Sequence, residues 1–262
     1  MRPLEGKCAL ITGSTQGLGL AAAQRLAAAG CHIVLSGLAS DAEAETVRVS
    51  LESAHGGRAI FAPGNLASLP DIERIADRAR TTFGGVDILV NNAVVRHAAP
   101  VEQFSPEKWD EALAVNLSAA FHFIRLTVPA MQARGWGRIL NVSSIYGFKG
   151  AANRVGYVTT KTALLGLTRA IALEGLPHGI TCNAVCPGTT ETPVHDAAIR
   201  ASMAASSLSR EEAERRFLST KQPTGRFISA DHVASLIVFL CGPDAGDITG
   251  TEIPVDGGWS IS

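Results

Sequence analysis

The feature that most narrows what this chain can fold into is a regular alternation of short apolar runs with longer helical stretches. The apolar runs fall at residues 8–11, 32–36, 58–63, 88–90, 137–142, 181–185 and 252–255. Helical patterning fills 18–29, 42–55, 70–83, 101–134, 155–176 and 230–240 between them. Parallel strands need long crossover connections, and a helix is the usual one, so this alternation predicts a parallel sheet with helices on both faces. The runs are nearly continuously apolar, as strands buried on both faces are. No repeat, low-complexity tract or linker divides residues 1–262. The expectation is one doubly wound, Rossmann-type α/β domain of about seven strands.

One segment breaks the rhythm. Residues 194–222 are polar and helix-prone, and Ser209-Arg210-Glu211-Glu212 reads as a capping box. An insertion beyond the carboxyl end of a strand suits a helical lid over a substrate site; a solvated pair of surface helices is the alternative.

An apolar content of 46% supports a full core, and a net charge of -1 argues against nucleic acid or an anionic membrane as main partner. Residues 1–7 lack the apolar run of a signal peptide. The longest apolar stretch, 233–241, is interrupted by Ser235 and is too short to span a bilayer. Cys8, Cys31, Cys182, Cys186 and Cys241 fall in strand or helix segments without metal-site spacing, which suits free buried thiols in a reducing cytoplasm. His97, His122, His178, His195 and His232 form no spaced cluster, so no metal site is expected.

The first apolar run leads into Thr12-Gly13-Ser14-Thr15-Gln16-Gly17-Leu18-Gly19 and then an alanine-rich helix. Glycines let the backbone turn tightly and approach a pyrophosphate, while a helix N-terminus supplies free N–H groups and a positive dipole end. The spacing is neither G-x-G-x-x-G nor a P-loop, and the same cluster also suits a plain strand–helix turn. Asn91-Asn92-Ala93 closes the fourth run, Pro187-Gly188 follows the sixth, and Asn116 sits within a helical stretch where an amide is a poor helix former. These positions lie at or near carboxyl ends of strands, where open α/β sheets bind ligands.

Tyr157 and Lys161 are four residues apart, one helical turn, with Ser144 thirteen residues upstream of the tyrosine. A phenol normally holds its proton to a pH near ~10. An ammonium at roughly 4 Å, in an effective dielectric of about 20, favours a phenolate by on the order of 4 kcal/mol. Such a pair is a candidate acid/base centre, though Y-x-x-x-K also occurs on many ordinary surface helices.

Taken together, the glycine pattern, Asn91-Asn92-Ala93, Asn116, Ser144, Tyr157-x-x-x-Lys161 and Pro187-Gly188 resemble the short-chain dehydrogenase/reductase family in order and spacing along the whole chain. A closer similarity is to bacterial D-3-hydroxybutyrate dehydrogenases. It rests on residues 83–92, 99–104, 136–139, Lys221-Gln222-Pro223 and 255–259. The resemblance implies that Tyr157 is the general acid/base and that Lys161 assists it and holds the nicotinamide ribose. It implies that Ser144 bonds the reacting oxygen and that Asn116 binds a water of the proton relay. It assigns cofactor contacts to Gly13, Thr15, Gln16, Gly17, Leu18, Gly19, Asn65, Leu66, Asn92, Ala93, Pro187, Gly188 and Thr192, besides Tyr157 and Lys161.

Departures from that pattern bear on the substrate. Val94 replaces a usual glycine, and Asn65 replaces a common aspartate whose role of accepting from adenine its amide oxygen can keep. Arg96, Tyr146, Arg154 and Thr189 align with substrate positions that carry glutamine, histidine, lysine and tryptophan in the hydroxybutyrate enzymes. With Lys149, the two arginines are expected at the mouth of the site and suit an anionic hydroxy acid or keto acid, arginine offering a planar fork to a carboxylate. Ser36-Gly37-Leu38-Ala39 after the second run holds no cation for a 2′-phosphate, which favours NAD over NADP. The expected protein is an NAD-dependent dehydrogenase of a small secondary alcohol, cytoplasmic and homotetrameric like its relatives, with the tail 250–262 helping to form the assembly. The alternatives are a reductase of neutral or cyclic ketones and a non-catalytic nucleotide-binding scaffold.

Overall fold

The computed structural model describes residues 2–191 and 193–262. The elements run β1 (Cys8–Thr12), α1 (Gly17–Ala28), β2 (His32–Ser36), α2 (Asp41–His55), β3 (Ala59–Phe61), α3 (Leu69–Phe83), β4 (Ile88–Asn91), α4 (Pro106–Leu113) and α5 (Ala119–Arg134). They continue with β5 (Gly137–Val142), α6 (Val155–Gly175), β6 (Ile180–Pro187), α7 (Pro193–Ser206), α8 (Arg210–Leu218), α9 (Ala230–Cys241) and β7 (Glu252–Val255). The strands form one seven-stranded sheet in the order β3-β2-β1-β4-β5-β6-β7, parallel throughout. Strand order reverses between β1 and β4, which opens a crevice beyond their carboxyl ends.

Successive strand side chains point to opposite faces, so each strand feeds two apolar layers. Ile11, Ile33 and Leu35 pack with Leu26 of α1 and Ile237 and Leu240 of α9. Leu10, Val34, Leu89 and Ile139 pack with Ile72 and Ile75 of α3 and Phe123 and Met131 of α5. Each such fully buried side chain contributes roughly 1.5–3 kcal/mol, and these layers hold the strand ends in a fixed frame.

Three predicted elements differ, the sixth run lengthening from 181–185 to Ile180–Pro187. The third run shortens to Ala59–Phe61, although the Ala62 N–H still donates to Leu35 O at 2.8 Å. The stretch 101–134 is not one helix: Val101–Gln103 is a 3-10 turn, and the helix restarts where Ser105 Oγ accepts from Lys108 N with Pro106 at the first position. From Pro106 to Arg134 it continues through a π turn at Ala114–Ser118. That 29-residue run is long and apolar enough to cross a membrane by length and composition. Phe123, Ile124 and Met131 pack it against the sheet, which makes it a core helix here.

The interrupting segment forms α7 and α8. The capping box closes as expected, with Ser209 Oγ accepting from Glu212 N and Glu212 Oε2 from Ser209 N. An isolated parallel bridge between Thr190 and Ile228 ties the two ends of the insertion together.

Candidate active site

The site grows from the crevice between β1 and β4. Gly13 holds φ at +63°, and a Cβ there would stand 3.1 Å from Ala93 Cα; a Cβ on Gly19 would lie 2.1 Å from Gly13 O. Only glycines let this loop fold back on the first turn of α1. Gln16 precedes that helix in an extended conformation and adds no side-chain cap, so the leading N–H groups of Gly17, Leu18 and Gly19 face outward uncapped by it. Thr12 Oγ1 accepts from Asn92 N at 2.9 Å and Ala93 N at 3.0 Å. Asn92 Nδ2 donates to Thr12 O at 2.9 Å and Gly13 O at 3.1 Å. The β4 end therefore braces the glycine loop, and together with Thr15 the cradle fits the pyrophosphate of a dinucleotide.

Before α3, where the sequence places the adenine contact as an expectation, Asn65 Oδ1 accepts from Ala67 N at 3.0 Å, and Asn65 N donates to Asp71 Oδ2 at 2.7 Å. The amide oxygen expected to meet adenine is thus engaged in the turn before α3. Leu66 is buried against the α3 core layer. At the end of β2, Ser36 N donates to Ser14 Oγ at 3.0 Å, Ser36 Oγ is buried without a partner, and Leu38 is 81% exposed.

Lys161 is buried in α6 and its ammonium donates to Val142 O at 2.6 Å. Burial, with a smaller push from Arg96, lowers it to about 7. Ser143 Oγ donates to Lys161 O at 2.8 Å and fixes that turn of helix. Lys161 Nζ stands 5.8 Å from the Tyr157 ring centroid. Ser144 Oγ accepts from Tyr146 N at 3.2 Å, which leaves its own hydrogen to donate into the crevice. The Tyr146 ring meets Tyr157 edge-on at 6.1 Å and Trp259 at 5.3 Å.

Asn116 sits in the π turn, a distortion frequent at functional sites. Its Oδ1 accepts from Val95 N at 2.8 Å, and Nδ2 donates to Val95 O at 3.1 Å and Thr160 Oγ1 at 3.3 Å. The carboxamide thus clamps the loop after β4 to α6. A cavity of about 10 Å³, the size of a single water, is lined by Thr12, Asn91, Asn116 and Lys161 among others. Asn91 Oδ1, buried without a partner, belongs to one of these lining residues.

The lysine has a measurable signature. An unfolded lysine holds its proton to a pH near ~10.4, so above about 7 the unfolded chain binds a proton that the folded one has released. The penalty of the buried charge is complete below that value and fades as the pH rises. Urea titrations are expected to show wild type gaining stability over Lys161→Met between about pH 6 and about pH 9. A pH-independent difference would contradict the burial argument.

Arg96 and Arg154 reach the site from different segments. Arg96 Cζ lies 5.7 Å from the Tyr157 ring centroid. Arg154 stands directly before α6, after Asn153 in the left-handed region, whose carbonyl accepts from Ala99 N at 3.1 Å and docks the Arg96 loop beside it. Burial raises the Tyr146 phenol, and nearby Arg154 opposes the shift. Lys149 is a correction: its ammonium donates to Trp259 O at 2.6 Å and Ser262 O at 3.0 Å, so it tethers the tail and is not free at the mouth of the site. Thr189 is buried, its N–H donates to Gln222 Oε1 and its carbonyl accepts from Ile228 N at 2.9 Å. A Cβ on Gly188, which follows Pro187, would stand 2.7 Å from Gln222 Oε1. Thr192 lies outside the described residues.

Several contributors were not singled out as site residues from sequence. Thr12 and Thr160 sit inside the motifs that were read, and only their hydroxyl bonds reveal them. Gln222 is 1% exposed within a polar segment that gave no sign of burial. Lys221 lies 4.1 Å over the Phe217 ring; burial and then Arg154 push its ammonium down. His195 Nδ1 is 2.8 Å from Thr190 O, and its ring packs with Phe217 and Phe227. Val94 needs no glycine freedom, since Asn153 and Ser207 are the non-glycine residues with positive φ among those described. The five cysteines are free and buried, and the described residues include no group of three His, Cys, Asp or Glu placed to hold a metal.

Comparison with known proteins sets this geometry in a family. The family model described as short chain dehydrogenase matches residues 7–202. The chain is similar to D-beta-hydroxybutyrate dehydrogenase of Cupriavidus necator, 40% identical over 256 residues and 98% of each protein. The enzyme of the same description from Rhizobium meliloti is 40% identical over 254 residues, covering 97% of this chain and 98% of that one. Among solved structures, L-sorbose reductase from Gluconobacter frateurii, complexed with NADPH and L-sorbose, superposes with a TM-score of 0.94 at 30% identity over 100% of both chains.

Proposed function

This chain belongs to the short-chain dehydrogenase family of nicotinamide-dependent oxidoreductases acting on CH–OH groups, and from that premise we propose that it oxidises a small anionic secondary alcohol of the 3-hydroxy acid type with NAD. The observation that carries the anionic reading is Arg96 over the Tyr157 ring and Arg154 at the start of the helix that carries Tyr157, neither with a carboxylate partner among the described residues.

The proposed chemistry follows from the site. Ser144 Oγ–H donates to the substrate oxygen, and Tyr157 takes the hydroxyl proton as the C–O bond becomes a carbonyl. Where Lys161 keeps its proton, up to a pH of about 7, its ammonium favours the negative charge that the phenolate carries. When bound, the nicotinamide supplies the acceptor for the hydride leaving the carbinol carbon, so alcohol and NAD become ketone, NADH and one proton. Gly13, Gly17, Leu18 and Gly19 cradle the pyrophosphate with Thr15 and Gln16; Asn65, Leu66, Asn92, Ala93, Pro187 and Gly188 line the rest of the cofactor. Asn116 holds the loop after β4 and borders the relay water. Arg96, Tyr146, Arg154 and Thr189 surround the substrate, and α7 and α8 cover it as a lid.

Arg154→Met is expected to lower kcat/KM on a 3-hydroxy acid about 10–100-fold, the worth of one charge-assisted hydrogen-bond pair. An unchanged value would remove the anion clamp. Reduction of a neutral ketone is a second reading, favoured by the likeness to the L-sorbose enzyme. Hydroxy acids compared with their esters separate the two, because a charge clamp penalises the neutral form.

The NAD preference rests on the neutral end of β2, where Ser36-Gly37-Leu38-Ala39 offers a 2′-phosphate no cation. A higher kcat/KM with NADP would overturn it. Exposed Phe121 on α5 and Leu173 on α6 support a homotetramer, checked by mass in solution, and the free buried thiols support a cytoplasmic setting.

A further inference from the structure

We propose that Lys149 is a positioning residue for the reaction: by holding the segment after β7 it seats Trp259 against Tyr146, and Tyr146 in turn orients the Tyr157 phenol. This rests on the reading of Tyr157 as the acid/base and adds a group that acts on it from outside the reacting atoms.

Direct contacts carry each step. Lys149 Nζ donates to Trp259 O at 2.6 Å and to Ser262 O at 3.0 Å. The buried Trp259 ring meets the Tyr146 ring edge-on at 5.3 Å, and Tyr146 meets Tyr157 edge-on at 6.1 Å. Tyr146 is therefore the neighbour that Trp259 and the acid/base share.

Both ends of this relay are anchored. Lys149 N donates to Ile145 O at 3.1 Å and Gly147 N to Ser144 O at 2.9 Å, so the lysine is built onto the 3-10 turn Ile145–Gly147 that follows Ser144. Thr162 Oγ1 donates to Gly147 O at 3.3 Å, and a Cβ on Gly147 would lie 3.2 Å from Lys161 O, so that turn rests directly on α6. On the far side, the buried Asp256 carboxylate accepts from Gly258 N at 3.0 Å and Ser260 N at 2.6 Å and shapes the turn that carries Trp259. Those bonds stay within the segment. Among the described residues, the hydrogen bonds that join it to the turn after β5 are the two from Lys149.

Edge contacts between rings set their orientation but are individually weak. An ammonium donating to two carbonyl oxygens is the stronger and more directional link. Without it Trp259 can leave Tyr146, and the Tyr157 ring keeps Arg96 and Lys161 as neighbours but loses a fixed Tyr146 edge. A misplacement of about 1 Å at a reacting group can cost on the order of 10²-fold in rate.

The test replaces Lys149 in the full chain with Met, Gln and Arg, the Gln variant serving where Met fails to fold. With 3-hydroxybutyrate and NAD, Lys149→Met is expected to lower kcat about tenfold while KM and NADH affinity stay within about threefold of wild type. Lys149→Arg, which can again donate to both oxygens, should recover most of the loss. In a Trp259→Leu background the same substitution should change kcat little further, because residues that act through one another are not additive. The chain has two tyrosines, so 3-fluorotyrosine labelling gives two fluorine resonances, assigned with Tyr146→Phe. Both are expected to shift or broaden in Lys149→Met and to return to place in Lys149→Arg.

An unchanged kcat, a parallel loss of NADH affinity, effects that add with Trp259→Leu, or a Tyr157 resonance that stays in place in a folded Lys149 variant overturns the proposal. If 3-hydroxybutyrate is not turned over, the proposed substrate class falls and the fluorine resonances alone decide this inference. Wild-type turnover by Tyr157→Phe would remove the acid/base reading and this inference with it.

Discussion

Tyr157→Phe is expected to lower kcat by about 10³-fold while leaving cofactor affinity within a few-fold of wild type. Proton transfer by a positioned side chain contributes on the order of 10²–10⁴ in rate, and the Tyr157 phenol sits one helical turn from Lys161, whose Nζ is 5.8 Å from its ring centroid. The substitution deletes one oxygen. The ring keeps its edge contact with Tyr146 at 6.1 Å and its place under Arg96, so packing should survive. Steady-state kinetics with a turned-over substrate, together with fluorescence titration of NADH, read the two effects separately. A loss smaller than tenfold would move the acid/base role to another group. A parallel loss of NADH binding would make the effect structural.

Thr12→Val is expected to cost stability on the order of 2–4 kcal/mol. Valine fits the space of threonine but cannot accept a hydrogen bond. Thr12 Oγ1 accepts from Asn92 N and Ala93 N, so both N–H groups would lose their partner at once. Each buried donor left unsatisfied costs about 1–3 kcal/mol, discounted here because the two residues are only partly buried. The same change removes two of the four bonds between the β4 end and the glycine loop, so NADH affinity should fall with stability. Urea unfolding and NADH titration measure the pair. Wild-type stability in the variant would mean that water replaces the hydroxyl, and that Asn92 Nδ2 alone maintains the brace.

Much of the architecture was legible before any coordinates. Strand positions, the parallel sheet and the helices on both faces follow from local pattern, since Leu10 and Ile11 must face opposite layers in any such strand. The boundaries that shifted did so for tertiary reasons. Residues 62–63 continue beside β2 through a single bond from Ala62 and then leave the ladder, and Ser105-Pro106 restarts a helix that hydropathy alone runs together. The π turn at Asn116 was invisible, because it exists only where the amide closes on Val95 and Thr160 from other segments.

The rim of the site was the least legible. From sequence, Lys149 is indistinguishable from a cation that meets a substrate; folding brings it to Trp259 and Ser262, 110 and 113 positions away, and its charge is taken up there. Lys221 enters the sequence only as part of Lys221-Gln222-Pro223 and is not assigned to the site there, yet the chain's return at Thr190 and Ile228 places it over Phe217.

By itself, the sequence determined the sheet, the glycine cradle at its switch point and the family, because periodicity and backbone permissiveness act over a few residues. Only the tertiary structure decided which cations find a partner inside the protein, as Lys149 does at Trp259 and Ser262. Whether a charge is spent inside the protein depends on partners that can lie a hundred positions away, and no local pattern records them.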